Sequence, residues 1–454
     1  MRIVIVGAGE VGFSVAGSLS AEGHDVTLVE SNEERAAKAD SELDVMVVRG
    51  NGARPPVLEE AGVHPGCDTD IMIACSNHDE VNILACWIAR RSGVKRVISR
   101  ARGLEYTDSP TWARELGIDV MISPERSVAR EIENLLTVTS AVHTAEFLGG
   151  RAAMYAFRVS KDSPLMGVTL RDLRKLYPRL TALIVFIKRN GSGFVPFGDN
   201  LLKEDDLCFV ITFKHQVYEL EELFCLTKSP RLKRVILVGG GKIGFQVASR
   251  LENRFPNLDI RLIDQDREKC EKLARELNRT IVLHGDGADE ELLRYEGIDE
   301  VDGFVSTTAN DERNLLLGVI GKALGARKSV AVVRRNLLMK LDDYISVDAV
   351  VNPNEALASV IMRQVRYPSG AGALAIIDKI DAEVLEVVLN ADSPAAGKRV
   401  MDIGMPQGIL LALVSRRGEA FVPWGDTVLE KGDEIMLFAS SELMPKAVEI
   451  LGVR

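Results

Sequence analysis

The sequence predicts an α/β protein with two Rossmann-like, doubly wound parallel sheets, each followed by a small α+β module. The motif G-x-G-x-x-G follows a short apolar run twice, and its two copies start 232 residues apart, at Gly7 and Gly239. Strand-like runs of valine and isoleucine alternate with helical-period segments in both halves, as in sheets that carry helices on both faces. Two matching motifs in two matching halves indicate a duplicated nucleotide-binding protein.

Each half is expected to form a sheet of six strands, with the glycine motif at the first turn. The strands of the first half are expected at residues 2–6, 25–30, 44–48, 70–75, 96–100 and 119–122. Helical-period segments separate them, for example at residues 12–21, 33–41 and 79–91. The strands of the second half are expected at residues 234–238, 259–264, 280–283, 303–306, 329–333 and 349–351.

Landmarks of the first half recur in the second at a near-constant offset, which supports the duplication. The recurring pairs are Gly50-Asn51-Gly52-Ala53 with Gly285-Asp286-Gly287-Ala288, Asp79-Glu80 and Asn82 with Asp311-Glu312 and Asn314, and Ser123-Pro124 with Asn352-Pro353.

A smaller, β-rich segment follows each predicted sheet. Its signature is Phe-Val-Pro-Phe-Gly-Asp at residues 194–199 and Phe-Val-Pro-Trp-Gly-Asp at residues 421–426. Strand-like runs precede and follow each signature, at residues 182–188 and 206–212 and at residues 410–415 and 433–439. We therefore expect four domains, at residues 1–135, 141–227, 233–366 and 372–454, with a linker between the halves at residues 228–233 around Ser229-Pro230.

Composition excludes several classes of function. The formal net charge of −10 argues against a general nucleic-acid binder, which needs clustered lysine and arginine. The six cysteines show neither a C-x-x-C pair nor metal-ligand spacing, so buried reduced thiols are expected and no metal site is. The apolar runs are much shorter than the roughly 20 residues that span a bilayer, and no signal peptide is apparent. We expect a cytoplasmic protein whose membrane role is peripheral.

The glycine motif has a defined chemistry. Its first glycine permits a tight turn, its second lets the backbone approach a pyrophosphate, and its third allows close helix–sheet packing. The following helix offers its N–H groups to the phosphates. Glu30 and Asp264 end the second strand of each half, where a carboxylate accepts hydrogen bonds from ribose hydroxyls and repels a 2′-phosphate. NAD(H) is therefore favoured over NADP(H); the alternative is a solvated acid at a strand end.

Other strand ends place polar groups at the same edge of each sheet. Asn51 and Gly52 follow the third strand on the adenine side, unless this is an ordinary β–α turn. Ser76 and Asn77 follow the fourth strand, and Asp79 and Glu80 then begin a helix, where capping is the favoured role. Arg100 and Arg102, at the end of the fifth strand, can reach a terminal phosphate, unless they lie in a solvated or salt-bridged loop.

No catalytic constellation accompanies these motifs. No tyrosine is followed by lysine four residues later, and the six histidines are scattered without metal-ligand spacing. The protein is therefore predicted not to be an enzyme. An NAD-dependent oxidoreductase, supported by the glycine motifs alone, is the alternative.

The predicted nucleotide contacts fall into two matching sets. Those of the first half are Gly7, Ala8, Gly9, Glu10, Val11, Gly12, Glu30, Asn51, Gly52, Ser76, Asn77, Arg100 and Arg102. Those of the second half are Gly239, Gly241, Lys242, Ile243, Gly244, Asp264, Asp286, Gly287, Thr307, Thr308, Arg334 and Arg335. The adjacent Arg334-Arg335 departs from the Arg-x-Arg of the first half, so the two sites are expected to differ in phosphate selectivity.

With these motifs in this order, the whole chain resembles the TrkA family, the cytosolic nucleotide-binding subunits of Trk potassium-uptake systems. The two sheets resemble RCK (KTN) N-terminal domains, and the small modules resemble RCK C-terminal domains. The resemblance rests on the glycine motifs, the Gly50 and Gly285 turns, residues 76–80 and 100–102, and the two Phe-Val-Pro-[Phe/Trp]-Gly-Asp segments.

The resemblance implies a regulator that binds NAD(H) and ATP or ADP. It also implies assembly into a homotetrameric ring that docks on a membrane-embedded Trk-type potassium transporter subunit (TrkH/TrkG-like) and gates it according to the bound nucleotide. A regulator of a different cation channel or transporter is the second alternative, since RCK modules serve several.

Overall fold

A computed structural model describes residues 1–103, 106, 110–138, 140–225, 232–335, 338, 345–366, 374–377, 382–390, 392–440 and 442–452 of the 454-residue chain. The chain divides into two compact units. The first unit comprises Met1–Ala129 and Asn352–Arg366, and the second comprises Arg130–Val351 and residues 367–454. Most of the predicted linker at residues 228–233 lies outside the described residues.

The first unit contains the predicted doubly wound sheet. Its six strands are β1 (Arg2–Val6), β2 (Asp25–Glu30), β3 (Met46–Arg49), β4 (Ile71–Ala74), β5 (Arg96–Arg100) and β6 (Val120–Ile122). They lie in the order β3-β2-β1-β4-β5-β6 and pair in parallel. The intervening helices are α1 (Glu10–Ala21), α2 (Glu33–Glu42), α3 (Pro55–Glu60), α4 (Asp79–Ser92), α5 (Pro110–Glu115) and α6 (Pro124–Thr137). Strand order reverses between β1 and β4, so the crevice at their carboxyl ends is the binding position of this fold.

The second unit repeats this sheet. Its strands are β12 (Arg234–Val238), β13 (Asp259–Asp264), β14 (Ile281–His284), β15 (Gly303–Ser306), β16 (Ser329–Val332) and β17 (Ala349–Val351), in the equivalent order β14-β13-β12-β15-β16-β17. The helices among them are α9 (Lys242–Arg254), α10 (Arg267–Glu276), α11 (Glu290–Tyr295) and α12 (Asp311–Ala323), and α13 (Pro353–Arg366) follows the last strand. The predicted order of strands and helices is confirmed in both sheets. The bounds of several strands move by one or two residues, as at β3, which was expected at residues 44–48.

Two small antiparallel sheets complete the second unit. The first consists of β7 (Ala141–Phe147), β8 (Ala152–Arg158), β9 (Ala182–Arg189), β10 (Ser192–Phe194) and β11 (Leu207–Phe213), with α7 (Leu170–Leu176) and α8 (Val217–Cys225). The second consists of β18 (Leu374–Ile377), β19 (Ala382–Val388), β20 (Leu410–Arg416), β21 (Glu419–Phe421) and β22 (Glu434–Ser440), with α14 (Met444–Leu451). Their strand orders, β10-β9-β11-β8-β7 and β18-β19-β22-β20-β21, are the same order read in opposite directions.

The two small sheets share one hydrophobic core. Met154, Phe186 and Phe209 of the first sheet pack in the same buried cluster as Met436 and Phe438 of the second. The ring centroids of Phe186 and Phe438 lie 6.2 Å apart. Because a sheet with one apolar face must bury it against another element, each small module provides the cover that the other needs.

One helix of the first unit comes from the far end of the sequence. Helix α13 follows the last strand of the second sheet, yet it lies along α1 of the first unit. Asn354 Nδ2 donates a hydrogen bond to Glu10 Oε2 at 2.5 Å, and Arg366 Nη2 lies 2.5 Å from Glu22 Oε1.

Helix α6 shows the reciprocal arrangement. Its residues from Arg130 onward belong to the second unit, where the buried carboxylate of Glu133 forms ion pairs with Arg250 and Arg254 of α9. A buried carboxylate requires such partners. In each unit, the helix that carries the glycine motif is therefore contacted by a helix from the other half of the sequence.

A buried lysine joins the second Rossmann sheet to the first small sheet. Lys328 precedes β16 and is 1% exposed, and its Nζ donates to the carbonyl oxygen of Ala141 at 2.5 Å. Its pKa is lowered to about 8, because the effect of burial, to which Lys322 adds, outweighs the opposite effects of Asp348 and Glu221.

We expect stability to rise with pH because of Lys328. Its pKa is about 8 in the folded chain and 10.5 ordinarily, so between these values the unfolded chain binds more protons. The free energy of unfolding should therefore increase across that range, by up to about 3 kcal/mol. Urea unfolding at several pH values should show this rise in the wild type and in the control Lys431→Met, an exposed lysine, but not in Lys328→Met. An equal rise in all three proteins would contradict the assignment.

Candidate nucleotide-binding sites

The glycine motif of the first unit brings the start of α1 against the turn after β1. Gly7 has φ +103°, and a Cβ on it would lie 2.9 Å from the backbone nitrogen of Ser76. A Cβ on Gly12 would lie 1.8 Å from the carbonyl oxygen of Gly7. The protein's own backbone therefore requires glycine at both positions.

Gly9, the second glycine of the motif, is different. It precedes α1 with φ −66° and ψ −179°, which any residue adopts, and a Cβ there would meet nothing within 4 Å. No contact with the described residues requires glycine at this position. The open space lies beside the N–H groups of the first helical turn, where a phosphate binds in this fold.

The second unit repeats both features. Gly239 has φ +105° and lies against the backbone of Thr308, and a Cβ on Gly244 would be 1.9 Å from the carbonyl oxygen of Gly239. Gly241, like Gly9, has no atom within 4 Å of its Cβ position. Val11 and Ile243 are buried beneath the two motifs, whereas Glu10 and Lys242 are exposed at the first position of their helices.

Glu30 is held beneath the glycine motif of the first unit. Glu30 is only 6% exposed. Its Oε2 accepts a hydrogen bond from the N–H of Ala8 at 2.6 Å, and its Oε1 accepts one from the N–H of Asn32 at 2.8 Å. Glu30 is thus not a solvated acid at a strand end. Each carboxylate oxygen can accept further hydrogen bonds, so the predicted contact with a ribose remains a prediction.

Asp264 occupies the same position in the second unit. Its carboxylate accepts hydrogen bonds from the N–H groups of Gly240 at 2.7 Å and Asp266 at 2.9 Å, and Lys269 Nζ lies 3.1 Å from Oδ2. Burial acts to raise the pKa of Asp264, but the two backbone N–H groups and Lys269 outweigh it, so the pKa lies below its usual value.

The turn after the third strand passes over the first strand. A Cβ on Gly52 would lie 2.4 Å from a methyl group of Val6, and one on Gly287 would lie 2.2 Å from the equivalent methyl group of Val238. Packing therefore explains both glycines. Asn51 and Asp286 each accept the N–H two residues later, and Asp286 also forms an ion pair of 2.5 Å with Arg313.

Two asparagines that the sequence analysis treated only as landmarks organise the crevices. The buried Asn82 accepts the N–H of Ser76 at 2.9 Å and donates to the carbonyl oxygens of Ser76 at 3.0 Å and Arg100 at 3.1 Å. Asn314 makes the same three bonds to Thr308 and Val332, at 2.8, 3.0 and 2.8 Å. One side chain thus fixes the ends of two neighbouring strands. In the sequence, the only sign of this role was that Asn82 recurs as Asn314 at the equivalent position of the second half.

The start of α4 has a related role. Asp79 Oδ2 accepts the N–H groups of Arg102 at 2.9 Å and Gly103 at 2.8 Å, and Asp311 does the same for Arg334 and Arg335, both at 2.9 Å. These acids begin their helices as predicted. However, Asp79 and Asp311 hold the segment after the fifth strand instead of capping the helix.

The arginines of the first unit are engaged by the protein. Arg100 Nη1 donates to Asn77 Oδ1 at 3.2 Å and to the carbonyl oxygen of Cys75 at 3.4 Å, and burial lowers its pKa. Arg102 Nε donates to the buried carboxylate of Glu125 at 2.8 Å. A terminal phosphate would have to compete with these partners, and its contact with Arg100 and Arg102 remains a prediction.

The contacts of the two aspartates correct the pairing of the arginines. Arg334 is equivalent to Arg102 and Arg335 to Gly103, while Val332 stands where the first unit has Arg100. Arg334 Nη1 lies 3.0 Å from Asp311 Oδ1, and Arg335 forms an ion pair with Glu312.

At the end of the fourth strand, Thr308 is the equivalent of Ser76. Thr307 is buried and donates to the carbonyl oxygen of Gly239 at 2.8 Å.

Comparisons with known proteins match this architecture along the chain. The TrkA-N domain family matches residues 3–124 and 235–353, and the TrkA-C domain family matches residues 154–224 and 384–452. The "Trk system potassium uptake protein TrkA homolog 2" of Methanosarcina mazei is 33% identical, covering 99% of this chain and all of that protein. The TrkA protein of Azorhizobium caulinodans is 32% identical, covering 100% of this chain and 99% of its own.

Solved structures show the same fold. The "GsuK channel bound to NAD" superposes with a TM-score of 0.62 at 20% identity, covering 100% of this chain and 79% of that chain. The GsuK RCK domain superposes with a TM-score of 0.61 at 20% identity, covering 100% of this chain and 95% of that chain.

The fold and the repeated site define a protein with two TrkA-N domains, each a Rossmann unit, and two TrkA-C domains, each a small α+β module. The chain belongs to the TrkA family of Trk potassium-uptake proteins. Among the described residues, no helix has the length and apolar character required to cross a membrane, and no group of three metal-ligating side chains occurs.

We expect Asn82→Ala to lower the free energy of unfolding by about 1–3 kcal/mol, because a buried N–H and two carbonyl groups lose their partner. Asn314→Ala should have a similar effect. Urea unfolding monitored by circular dichroism measures both, with the exposed Asn278→Ala as the control. Losses no larger than that of the control would show that the two side chains do not fix the strand ends.

Proposed function

We propose that this protein is the cytoplasmic regulatory subunit of a potassium-uptake system, bound peripherally to the inner face of the plasma membrane. It binds NAD(H) and ATP or ADP in its two Rossmann crevices and gates a membrane-embedded Trk-type transporter subunit. The observation that carries nucleotide binding is the open space at Gly9 and Gly241. Membership of the TrkA family supports the potassium-uptake role.

The chain's own groups fit a dinucleotide. The N–H groups of the first turn of α1 would receive the pyrophosphate, and Glu30 would accept the hydroxyl groups of the adenosine ribose. The backbone held by Asn82 would form the wall of the crevice on the side of the fourth and fifth strands.

Gating requires that different nucleotides favour different conformations, since a ligand shifts an equilibrium only by its differential affinity. The nucleotide could change the conformation through Glu10, which follows Gly9 directly. The carboxylate of Glu10 accepts a hydrogen bond from Asn354 of helix α13. A phosphate near Glu10 would repel its carboxylate and weaken this contact. The helix that joins the first unit to the last strand of the second sheet would then respond to the ligand.

We propose assembly into a homotetrameric ring, in which such changes add across subunits and act on the transporter. The partner would be TrkH/TrkG-like.

We expect Gly9→Ala and Gly241→Ala to keep the stability of the wild type but to weaken nucleotide binding, because the new methyl group occupies the space left for phosphate. Isothermal titration with NADH and with ATP measures binding, and urea unfolding measures stability. Gly12→Ala is the matched control and should lose stability, since its Cβ would meet the Gly7 carbonyl oxygen. Unchanged affinity for both nucleotides in the Gly9→Ala, Gly241→Ala double variant would argue against these crevices as the binding sites.

Potassium transport tests the regulatory role directly. Flux through the membrane partner in proteoliposomes should depend on this protein and differ between ATP and ADP, whereas with the double variant it should no longer respond to nucleotide. A flux independent of the protein, together with turnover of NADH by the purified chain, would favour the oxidoreductase alternative.

A further inference from the structure

The two crevices are built alike, so their charges can be compared position by position. The equivalences follow from shared contacts: the glycine motifs, the acids that bind the motif backbone, and the asparagines that join the strand ends. Charge differences at matched positions are then not required by these shared contacts.

The clearest difference lies at the first residue of the helix that faces the phosphate position. The first unit has Glu10 there and the second has Lys242, and both are exposed. The Glu10 carboxylate accepts a hydrogen bond from Asn354. In the described part of the chain, Lys242 has no ion-pair partner. A phosphate bound at the start of the helix would therefore lie near a carboxylate in the first crevice and near an ammonium group in the second.

The ribose side differs in the same direction. Glu30 has no cationic partner among the described residues, whereas Lys269 lies 3.1 Å from the carboxylate of Asp264. The acid of the second crevice is therefore compensated. The equivalent of Lys269 in the first unit is Arg35, an exposed residue whose N–H is bound to Asn32.

The adenine side shows no net difference in charge. Arg313 pairs with Asp286 in the second crevice, where the first has the uncharged Val81 and Asn51. The change from Arg100 to Val332 goes the other way and removes a guanidinium. Because the first unit already binds this guanidinium with the carbonyl groups of Cys75 and Ser76, we do not count it among the groups free to bind a phosphate. Near the phosphate position, the largest difference in charge between the two crevices is therefore the replacement of Glu10 by Lys242.

We propose that the two crevices sort nucleotides by charge: the first takes the less charged dinucleotide NAD(H), and the second takes a nucleoside di- or triphosphate such as ADP or ATP. Lys242 sets this preference through its charge. This inference rests on the proposed function, which requires only that the crevices bind nucleotides. It further requires that both ligands occupy one chain together.

Titrations of the full-length protein test the sorting. In the wild type, ATP should bind to chains already saturated with NADH without displacing it, as followed by NADH fluorescence and calorimetry. Lys242→Glu should weaken ATP binding about 10-fold or more and change NADH binding less than about 2-fold, since the reversed charge repels the phosphates. Lys242→Gln should give an intermediate loss.

Two controls make the result specific. Lys431→Glu introduces the same charge change at an exposed position of the second small module and should leave ATP binding unchanged. Glu10→Lys should increase the affinity of the first crevice for ATP, so that ATP now displaces NADH. Urea unfolding of Lys242→Glu, with a transition like that of the wild type, shows that the unit carrying the substitution is folded.

The outcomes distinguish a failure of the sorting from a failure of nucleotide binding itself. One-for-one displacement of NADH by ATP in the wild type, or equal ATP affinity of Lys242→Glu and wild type, overturns the sorting while leaving nucleotide binding intact. Failure of the wild type to bind either nucleotide overturns the proposed function and the sorting with it.

Discussion

The close approach of a helix to its own preceding turn is the constraint on which both crevices depend. At Gly12 and Gly244 the helix passes so near the first glycine of the motif that no side chain fits between them. The N–H groups of the first helical turn, which have no partner within the helix, follow directly after this turn of the chain. The close approach also brings the backbone of Ala8 and Gly240 within reach of Glu30 and Asp264. The remaining polar contacts of the site follow from this geometry.

Polar side chains then hold the strand ends at fixed spacing. Asn82 and Asn314 join the ends of the fourth and fifth strands, and Asp79 and Asp311 hold the segment after the fifth. Each of these side chains forms hydrogen bonds with the backbone. The exposed positions do not take part in these bonds, so their residue types can differ between the halves. The scaffold is therefore repeated closely while charges at the helix start, such as Glu10 and Lys242, are reversed.

The order of strands and helices could be predicted because it depends on local patterns: valine and isoleucine runs, glycine motifs and their repetition. The local geometry was predictable where a motif specifies the backbone, as at the turn of Gly7 and the position of Glu30 at the end of the second strand. The role of Asn82 was not, because its partner Arg100 is 18 residues away and the contact exists only once the sheet forms. Arg334 was paired with the wrong position for a related reason, since residue type suggested Arg-x-Arg whereas the hydrogen bonds to Asp311 define the equivalence. The placement of helix α13 beside α1 depends on tertiary packing, which has no local signature.

The exchanged helices have an evolutionary consequence. A chain of half this length, with one sheet and one small module, would have neither the foreign helix on its glycine-motif helix nor the cover on its small sheet. It could obtain both only from a second copy of itself, by the reciprocal exchange of an element that produces a symmetric dimer. The present sequence contains both halves, so the exchanged helices and the shared small-sheet core form within one chain. Because the two halves are encoded separately within it, they need not be identical, and each crevice can carry its own substitutions.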